Sequence, residues 1–439
     1  MAWARPKHRL GPRALGLDRA RCQHRHMHGI RAQRGQTSAE YLGVVVVVAA
    51  LIAGLTATGF PARVATSLTG AVCRIVSLGG CGPPEAAAET SDPTSSAAPT
   101  FGTSGQDWDT DSSNGIDLPP TNSTPEEVRA FFEALDPDAQ TALVVKYPDI
   151  IGNLDGAPPE ARYAANRINI MREVERLERD GGSAELIAQL REMASEHRQI
   201  ILFDPSGDGR AAEVFGDLDA AEHIAVLVPG ATNTLDTFDG FNDSAELLQN
   251  TMSELWPDRP TATIAWLGYD TPDSLPFGIP FPGPEAIFDE SAEEAAATLP
   301  PFLGGINDGS RHVTVIGHSY GSVALGLAAR EGLAADDIVF LGSPGVRARN
   351  AGELGEYNVW AGLNPKDPIR FVDTISVFGL GHGPQPAHAE FGARRFRTDG
   401  AVGHAYYIRD SEAVYNLARI IAGAYDEASL CSGGGDACD

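Results

Sequence analysis

Gly317-His318-Ser319-Tyr320-Gly321 sets a serine between two glycines, each two positions away. A serine hydroxyl becomes a nucleophile when a base takes its proton and preset donors receive the charge developing on the attacked carbonyl. The spacing suits a sharp turn in which the backbone passes close to itself, leaving no room for side chains at the flanking positions. The competing reading is a tight structural turn. The flanks favour chemistry: 311–316 is β-branched and strand-forming, and 322–330 is small, apolar and helical. Strand, turn and helix then stand the serine oxygen over a helix N-terminus, where negative charge is favoured.

Such a turn needs a sheet behind it. Strand patterns fall at 199–204, 212–216, 224–229, 262–268, 312–318, 337–343, 357–363 and 393–398, with helical stretches between them. The middle strands are continuous apolar runs, as expected of a parallel sheet covered on both faces. The expected fold is therefore α/β, an α/β-hydrolase fold with a mostly parallel eight-stranded sheet and helices on both faces. Four helical patterns precede it, starting at the capping box Thr124-Pro125-Glu126-Glu127 and running to about residue 197. Residues 269–288, dense in proline and aromatics, suit neither regular strand nor helix. They follow a strand's carboxyl end, where α/β folds bind ligands, and are expected to form a cap with Phe277 and Phe281 lining the pocket. An ordinary surface excursion is the alternative.

In this fold the order along the chain is serine, acid, histidine, with acid and base following the last strands. Only His382, His388 and His404 follow Ser319. His404 comes after the eighth strand and before a helical pattern, which is the position the base requires. His388 precedes that strand, and His382 sits in a Gly/Pro loop. Asp367, in Asn364-Pro365-Lys366-Asp367-Pro368, directly follows the seventh strand and is the expected acid, with Asp373 in reserve. As an aspartate before proline it also suits a plain turn. The backbone amides of Tyr320 and Ala231 are the expected oxyanion donors, the second from the loop 229–234 after the third strand.

Five pieces of the chain resemble a group of bacterial α/β-hydrolases long known only as a domain of unknown function. They are Ile151-Gly152-Asn153-Leu154-Asp155-Gly156, Leu227-Val228-Pro229-Gly230, Trp266-Leu267-Gly268-Tyr269, the serine turn, and Gly403-His404-Ala405-Tyr406-Tyr407. The resemblance spans roughly 125–425. It implies a serine-hydrolase fold and a Ser-Asp-His site.

The N-terminal third is of another kind. Residues 1–34 carry nine Lys and Arg and one acid, although the chain as a whole has net charge −26. The remainder therefore has 24 basic and 58 acidic residues, net −34, which argues against nucleic acid as a partner. Residues 41–60 are twenty without a charge, long enough to cross a bilayer, and the basic flank predicts a cytoplasmic N-terminus with an exported body. An ordinary secretory signal suits this segment less well, because both its regions are too long. Gly35-Gln36-Thr37-Ser38-Ala39-Glu40-Tyr41 resembles the leader of type IV and Flp-type pilins and pseudopilins. That resemblance implies cleavage after Gly35, Glu40 at the fifth mature position, and pilin-like self-association. Among the five cysteines, Cys73 with Cys81 and Cys431 with Cys438 are close enough in sequence for disulfides in an exported protein.

The chain thus divides into a basic leader (1–40), a transmembrane helix (41–60) and a Pro/Ser/Thr-rich linker (61–123). A helical region (124–197), a catalytic domain (198–426) and a Gly/Cys tail (427–439) follow. The expected protein is a membrane-tethered, extracytoplasmic serine hydrolase of carboxylic esters, with lipidic or acylated cell-envelope material as substrate. A peptidase or amidase on the same residues, and a pseudopilin-like binding subunit, are the alternatives. No cofactor or metal is expected: Gly207-Asp208-Gly209 lacks the partners of a phosphate loop.

Overall fold

The computed structural model describes residues 118–432, apart from 121, 276–278, 283–285, 287–288, 371–381, 406 and 410. The leader, the apolar segment 41–60 and all but the end of the linker lie outside the described residues. Among the described residues no helix is long and apolar enough to cross a membrane.

Thr124 accepts from the Glu127 amide, and Glu127 accepts from the Thr124 amide at 2.8 Å, closing the capping box that starts α1 (Pro125–Glu133). Helices α2 (Pro137–Lys146), α3 (Pro148–Ile151), α4 (Pro159–Asp180) and α5 (Ala184–Met193) follow, α2 and α5 capped by Asp136 and Ser183. The eight-stranded sheet comprises β1 (Ile200–Asp204), β2 (Arg210–Gly216), β3 (His223–Val228), β4 (Thr261–Leu267), β7 (His312–His318), β8 (Asp337–Leu341), β9 (Asn358–Gly362) and β10 (Arg394–Arg395). Two further short strands, β5 (Ser274–Leu275) and β6 (Ile279–Pro282), pair only with each other. The order across the sheet is β1-β2-β4-β3-β7-β8-β9-β10. β1 and β2 are antiparallel to their neighbours, and every pair from β4 to β10 is parallel. This is the mostly parallel eight-stranded sheet expected from the sequence.

Both faces are covered. On β3, Ile224, Val226 and Val228 pack on one side with α7 (Glu290–Ile306) and α8 (Gly321–Glu331). Ala225 and Leu227 pack on the other with α4, α6 (Phe238–Leu255) and α9 (Glu412–Ile421). The period-two alternation of the strand sends successive side chains into two separate apolar layers. A fully buried side chain of this size contributes about 1.5–3 kcal/mol, so the sheet is a rigid base for what stands on its edge.

The Ile151–Gly156 stretch is a docking piece of this scaffold. The Asn153 amide group pairs with the edge of β1, donating to Phe203 O at 2.9 Å and accepting from Phe203 N at 3.0 Å. Arg162, 1% exposed, donates to Asp155 at 3.1 Å and to Gly152 O at 3.3 Å. Asn166 ties Gly152 O and Ile200 O together, at 2.8 and 3.1 Å.

Two expectations are corrected. The eighth strand covers only Arg394–Arg395 rather than 393–398. Beyond it the backbone turns to another partner: Phe396 bridges Leu430, Cys431 N donates to Arg395 O and Arg397 N to Ser429 O. The start of the tail therefore covers the sheet edge, which would otherwise stay open for pairing. Cys431 is disulfide-bonded, and its partner lies outside the described residues. The proline-rich segment holds a regular element after all, the β5–β6 hairpin, with Ser274 opposite Pro282 and Leu275 opposite Ile279. Proline is tolerated there because a two-stranded ribbon needs only half of each strand's amides.

Asp155→Ala leaves the buried Arg162 guanidinium without its counter-charge. It should lower the unfolding free energy by about 3–5 kcal/mol in urea titrations, whereas a loss below about 1 kcal/mol would place the pair in solvent.

Candidate active site

The chain leaves β7 at His318 and enters α8 at Gly321. Ser319 bridges them with φ 54°, a left-handed conformation uncommon for serine. Its amide donates to Leu341 O at the end of β8, at 2.9 Å, which holds the turn open. A methyl group on Gly317 would come within 2.7 Å of Gly321 O, and one on Gly321 within 2.4 Å of Pro229 O. The two glycines are therefore required by contact, as their spacing suggests.

His404 lies in the loop between β10 and α9. Its Nε2 stands 2.7 Å from Ser319 Oγ, and its Nδ1 stands 2.9 and 3.1 Å from the two oxygens of Asp367. The carboxylate only accepts, so Nδ1 carries the proton and Nε2 accepts from the serine hydroxyl. Asp367 has no exposure, and His404 is 28% exposed, so the imidazole reaches the surface while the carboxylate does not. Burial raises the Asp367 pKa. The charge of His404 and hydrogen bonds from His404, Tyr407 and the Ile369 amide outweigh it and hold the carboxyl below its ordinary range. The Tyr407 hydroxyl donates at 2.6 Å and the Ile369 amide at 2.9 Å. Burial, and then the Asp367 charge, push the Tyr407 hydroxyl well up, so it remains a donor.

Two further residues, of the serine turn and of the 403–407 stretch, hold this arrangement, and the sequence pattern gives neither of them a role. Tyr407 is one. His318 is the other: its Nε2 donates to the His404 carbonyl at 2.8 Å, and its ring lies 5.1 Å from the His404 ring. Burial and the His404 ring push its pKa down to about 4, so it stays neutral and keeps that donor. Nothing in a Gly-x-Ser-x-Gly spacing marks the x before serine as a tie to a loop 86 residues away.

Ala231 follows Gly230, where a methyl group would lie 2.8 Å from Ser319 Cβ and 3.3 Å from Oγ. Asn233 Nδ2 donates to Gly230 O at 3.0 Å and to Ala231 O at 3.2 Å, and the Tyr269 hydroxyl donates to Pro229 O at 2.7 Å. A trans peptide points its N–H opposite its carbonyl, so binding Gly230 O to Asn233 directs the Ala231 amide away from that side chain. Tyr320 supplies the backbone at the N-terminus of α8, while its ring meets the edge of the His382 ring, with centroids 5.6 Å apart.

The other candidates stand elsewhere. His382 is buried and bound to Asp289 at 3.2 Å and Ala286 O at 2.8 Å, fastening the end of the 269–288 segment. His388 precedes a single 3-10 turn, Ala389–Phe391. Asp373 and Phe277 lie outside the described residues, and of Phe281 only the backbone, within β6, is described. The start of the segment is joined to the Ala231 loop, Thr232 N donating to Pro272 O at 2.9 Å and Thr271 Oγ1 to Asn233 O at 2.8 Å. Among the described residues no group of three or more His, Cys, Asp or Glu could hold a metal ion. Two clefts, of 540 and 470 Å³, both border Arg198 and Gln199 and include none of these residues.

A family model described as an alpha/beta hydrolase matches residues 204–377. An uncharacterized protein of Mycobacterium bovis is 33% identical over 215 residues, a match covering 45% of this chain and 77% of that protein. The chain belongs to this α/β-hydrolase family. The chain is also 30% identical over 385 residues to an uncharacterized protein of Mycobacterium tuberculosis, covering 71% of the chain and 57% of that relative. It thus spans little more than half of that relative's length. Among solved structures, the dienelactone hydrolase from Anabaena variabilis aligns with 53% of this chain and 100% of its own, at 12% identity and a TM-score of 0.32.

Because the folded pKa of Asp367 is depressed, its contribution to stability is present above the ordinary carboxylate range and lost as pH falls through the lowered value. Tyr407→Phe removes one bond to the charged form and moves that value back up. The variant should lose about 1.5–3 kcal/mol near neutral pH and less in acid, where the carboxylate is protonated in both proteins. Thermal melts across pH test this, and an equal loss at every pH would contradict it.

Proposed function

We propose that the protein is a serine hydrolase of carboxylic esters that works through an acyl-enzyme. The observation that carries the reading is the 2.7 Å contact between His404 Nε2 and Ser319 Oγ, with Asp367 on the other ring nitrogen at 2.9 Å. Ser319 Oγ attacks the ester carbonyl carbon while its proton passes to His404 Nε2. The tetrahedral oxyanion lies against the amides of Tyr320 and Ala231. As the carbonyl re-forms, the C–O bond to the alcohol breaks and His404 returns the proton to the departing alkoxide. Water then repeats the sequence on the acyl-serine, releasing the acid and restoring the hydroxyl. Asp367 stays ionised throughout and offsets the positive charge on the imidazole. The segment 269–288, joined at one end to the Ala231 loop, would shape the acyl pocket.

Ser319→Ala should lower hydrolysis of p-nitrophenyl esters on the order of a thousandfold or more and abolish labelling by a fluorophosphonate. Labelling undiminished in the alanine variant would overturn the assignment.

We further propose that the hydrolase is exported and tethered through 41–60. The arginine-rich residues 1–34 support this topology, as does the disulfide at Cys431, which suits an oxidising compartment. An alkaline phosphatase reporter fused after residue 100 should be active, since it folds only outside the cytoplasm. An inactive phosphatase beside an active cytoplasmic reporter at the same position would reverse the topology.

A further inference from the structure

Asn364 opens the loop that carries Asp367, yet most of its hydrogen bonds reach beyond its own turn. It is 2% exposed. Its Nδ2 donates to Ala401 O at 2.9 Å and to Gly403 O at 3.2 Å, the two carbonyls that bracket the approach to His404. Its Oδ1 accepts from the Lys366 amide at 3.0 Å, and its carbonyl accepts from the Asp367 amide at 2.9 Å. Its own amide donates at 3.0 Å to the Tyr407 hydroxyl, the same hydroxyl that donates to Asp367. All four polar atoms of the residue are used. Two serve the acid's turn, and two reach the base's loop.

We propose that Asn364 is a positioning residue, which fixes the loop of the acid to the loop of the base so that Asp367 and His404 meet in register with Ser319. The inference rests on the reading of those three residues as a catalytic unit. The side chain suits the task because one amide nitrogen offers two protons to two carbonyls, while its oxygen is left for the turn that presents Asp367. Aspartate keeps the oxygen and the shape but offers lone pairs to both carbonyls. Alanine keeps neither. His404 would then be held by its ring contacts with Asp367 and Ser319 and, on the backbone, by the His318 bond to its carbonyl at 2.8 Å. That single tie fixes the backbone height of the ring but not its rotation toward the acid.

The test compares Asn364→Asp and Asn364→Ala with Asn166→Asp in the full chain. Asn166 is an apt control: it is also fully buried, and its Nδ2 also bridges two carbonyls, Gly152 O and Ile200 O, in the scaffold. Each variant is followed by thermal melting, by kcat and KM on p-nitrophenyl acetate, by the rate of fluorophosphonate labelling, and by the low-field proton resonance of His404 Nδ1–H. Both Asn364 variants should lose kcat and labelling rate on the order of 100-fold, with KM within about twofold. They should also lose or shift the low-field resonance. Asn166→Asp should be destabilised while keeping kcat and the resonance. Asn364 variants that fold with kcat and resonance like those of Asn166→Asp would overturn the proposal. So would failure of both to fold while Asn166→Asp folds, because the residue would then serve the fold alone. A parent chain inert to the ester and the fluorophosphonate would overturn the functional reading instead, and the resonance would still report on Asn364.

Discussion

A carboxylate shut away from water keeps its charge only where donors replace the water it has lost. Asp367 is in that position. Its oxygens are met by the His404 ring, the Tyr407 hydroxyl and the Ile369 amide, and those donors outweigh the cost of burial. Each donor comes from chain that something else must hold. Tyr407 and His404 share a loop after β10, Ile369 belongs to the turn after β9, and the Ser319 end of the contact stands on β7. Were the carboxylate neutral, it would no longer stabilise a positive imidazole, and the 2.7 Å contact to Ser319 Oγ would hold a weak base.

The sheet makes that convergence possible. Parallel strands β7, β8 and β9 end side by side, so the loops that follow them open on one edge. The left-handed Ser319 costs about 1–3 kcal/mol locally, and it persists because its amide is bound by Leu341 and its flanks are closed against Pro229 and Gly321. At the opposite ends of the same strands a second polar cluster closes the base of the sheet. Buried Asp337 accepts from Trp360 Nε1 and the Tyr425 hydroxyl, each at 2.8 Å, and lies 2.9 Å from His312. Burial lowers the His312 pKa, and Asp337 more than restores it, so the pair ties the C-terminal segment to β7 and β8.

What was legible in the sequence follows the range of the interactions involved. Continuous apolar runs disclosed the sheet, because burial on both faces leaves a local imprint. Ser319 is marked by its Gly-x-Ser-x-Gly turn, and chain order points from it to Asp367 and His404, since a parallel sheet fixes which loops share an edge; the structure brings the three side chains together. Side-chain hydrogen bonds that cross to a distant loop leave no such imprint. The Tyr407 bond to Asp367, the His318 bond to the His404 carbonyl and the Asn364 bridge each join residues tens of positions apart. The edge strand β10 is shorter than its sequence pattern, because its continuation pairs with Leu430, which no local pattern announces. Ile151–Gly156 stands out in the sequence as a motif, but its work is docking, which only the position of Asn153 against β1 discloses.

The central claim is that Ser319 carries the acyl group. Mixing the full chain with p-nitrophenyl acetate, quenching in acid within the first turnover and mapping the peptides by mass spectrometry tests it directly. An acetyl group confined to Ser319 is the predicted result. Rapid product release with no acetyl on Ser319, or with acetyl on another residue, would contradict the account.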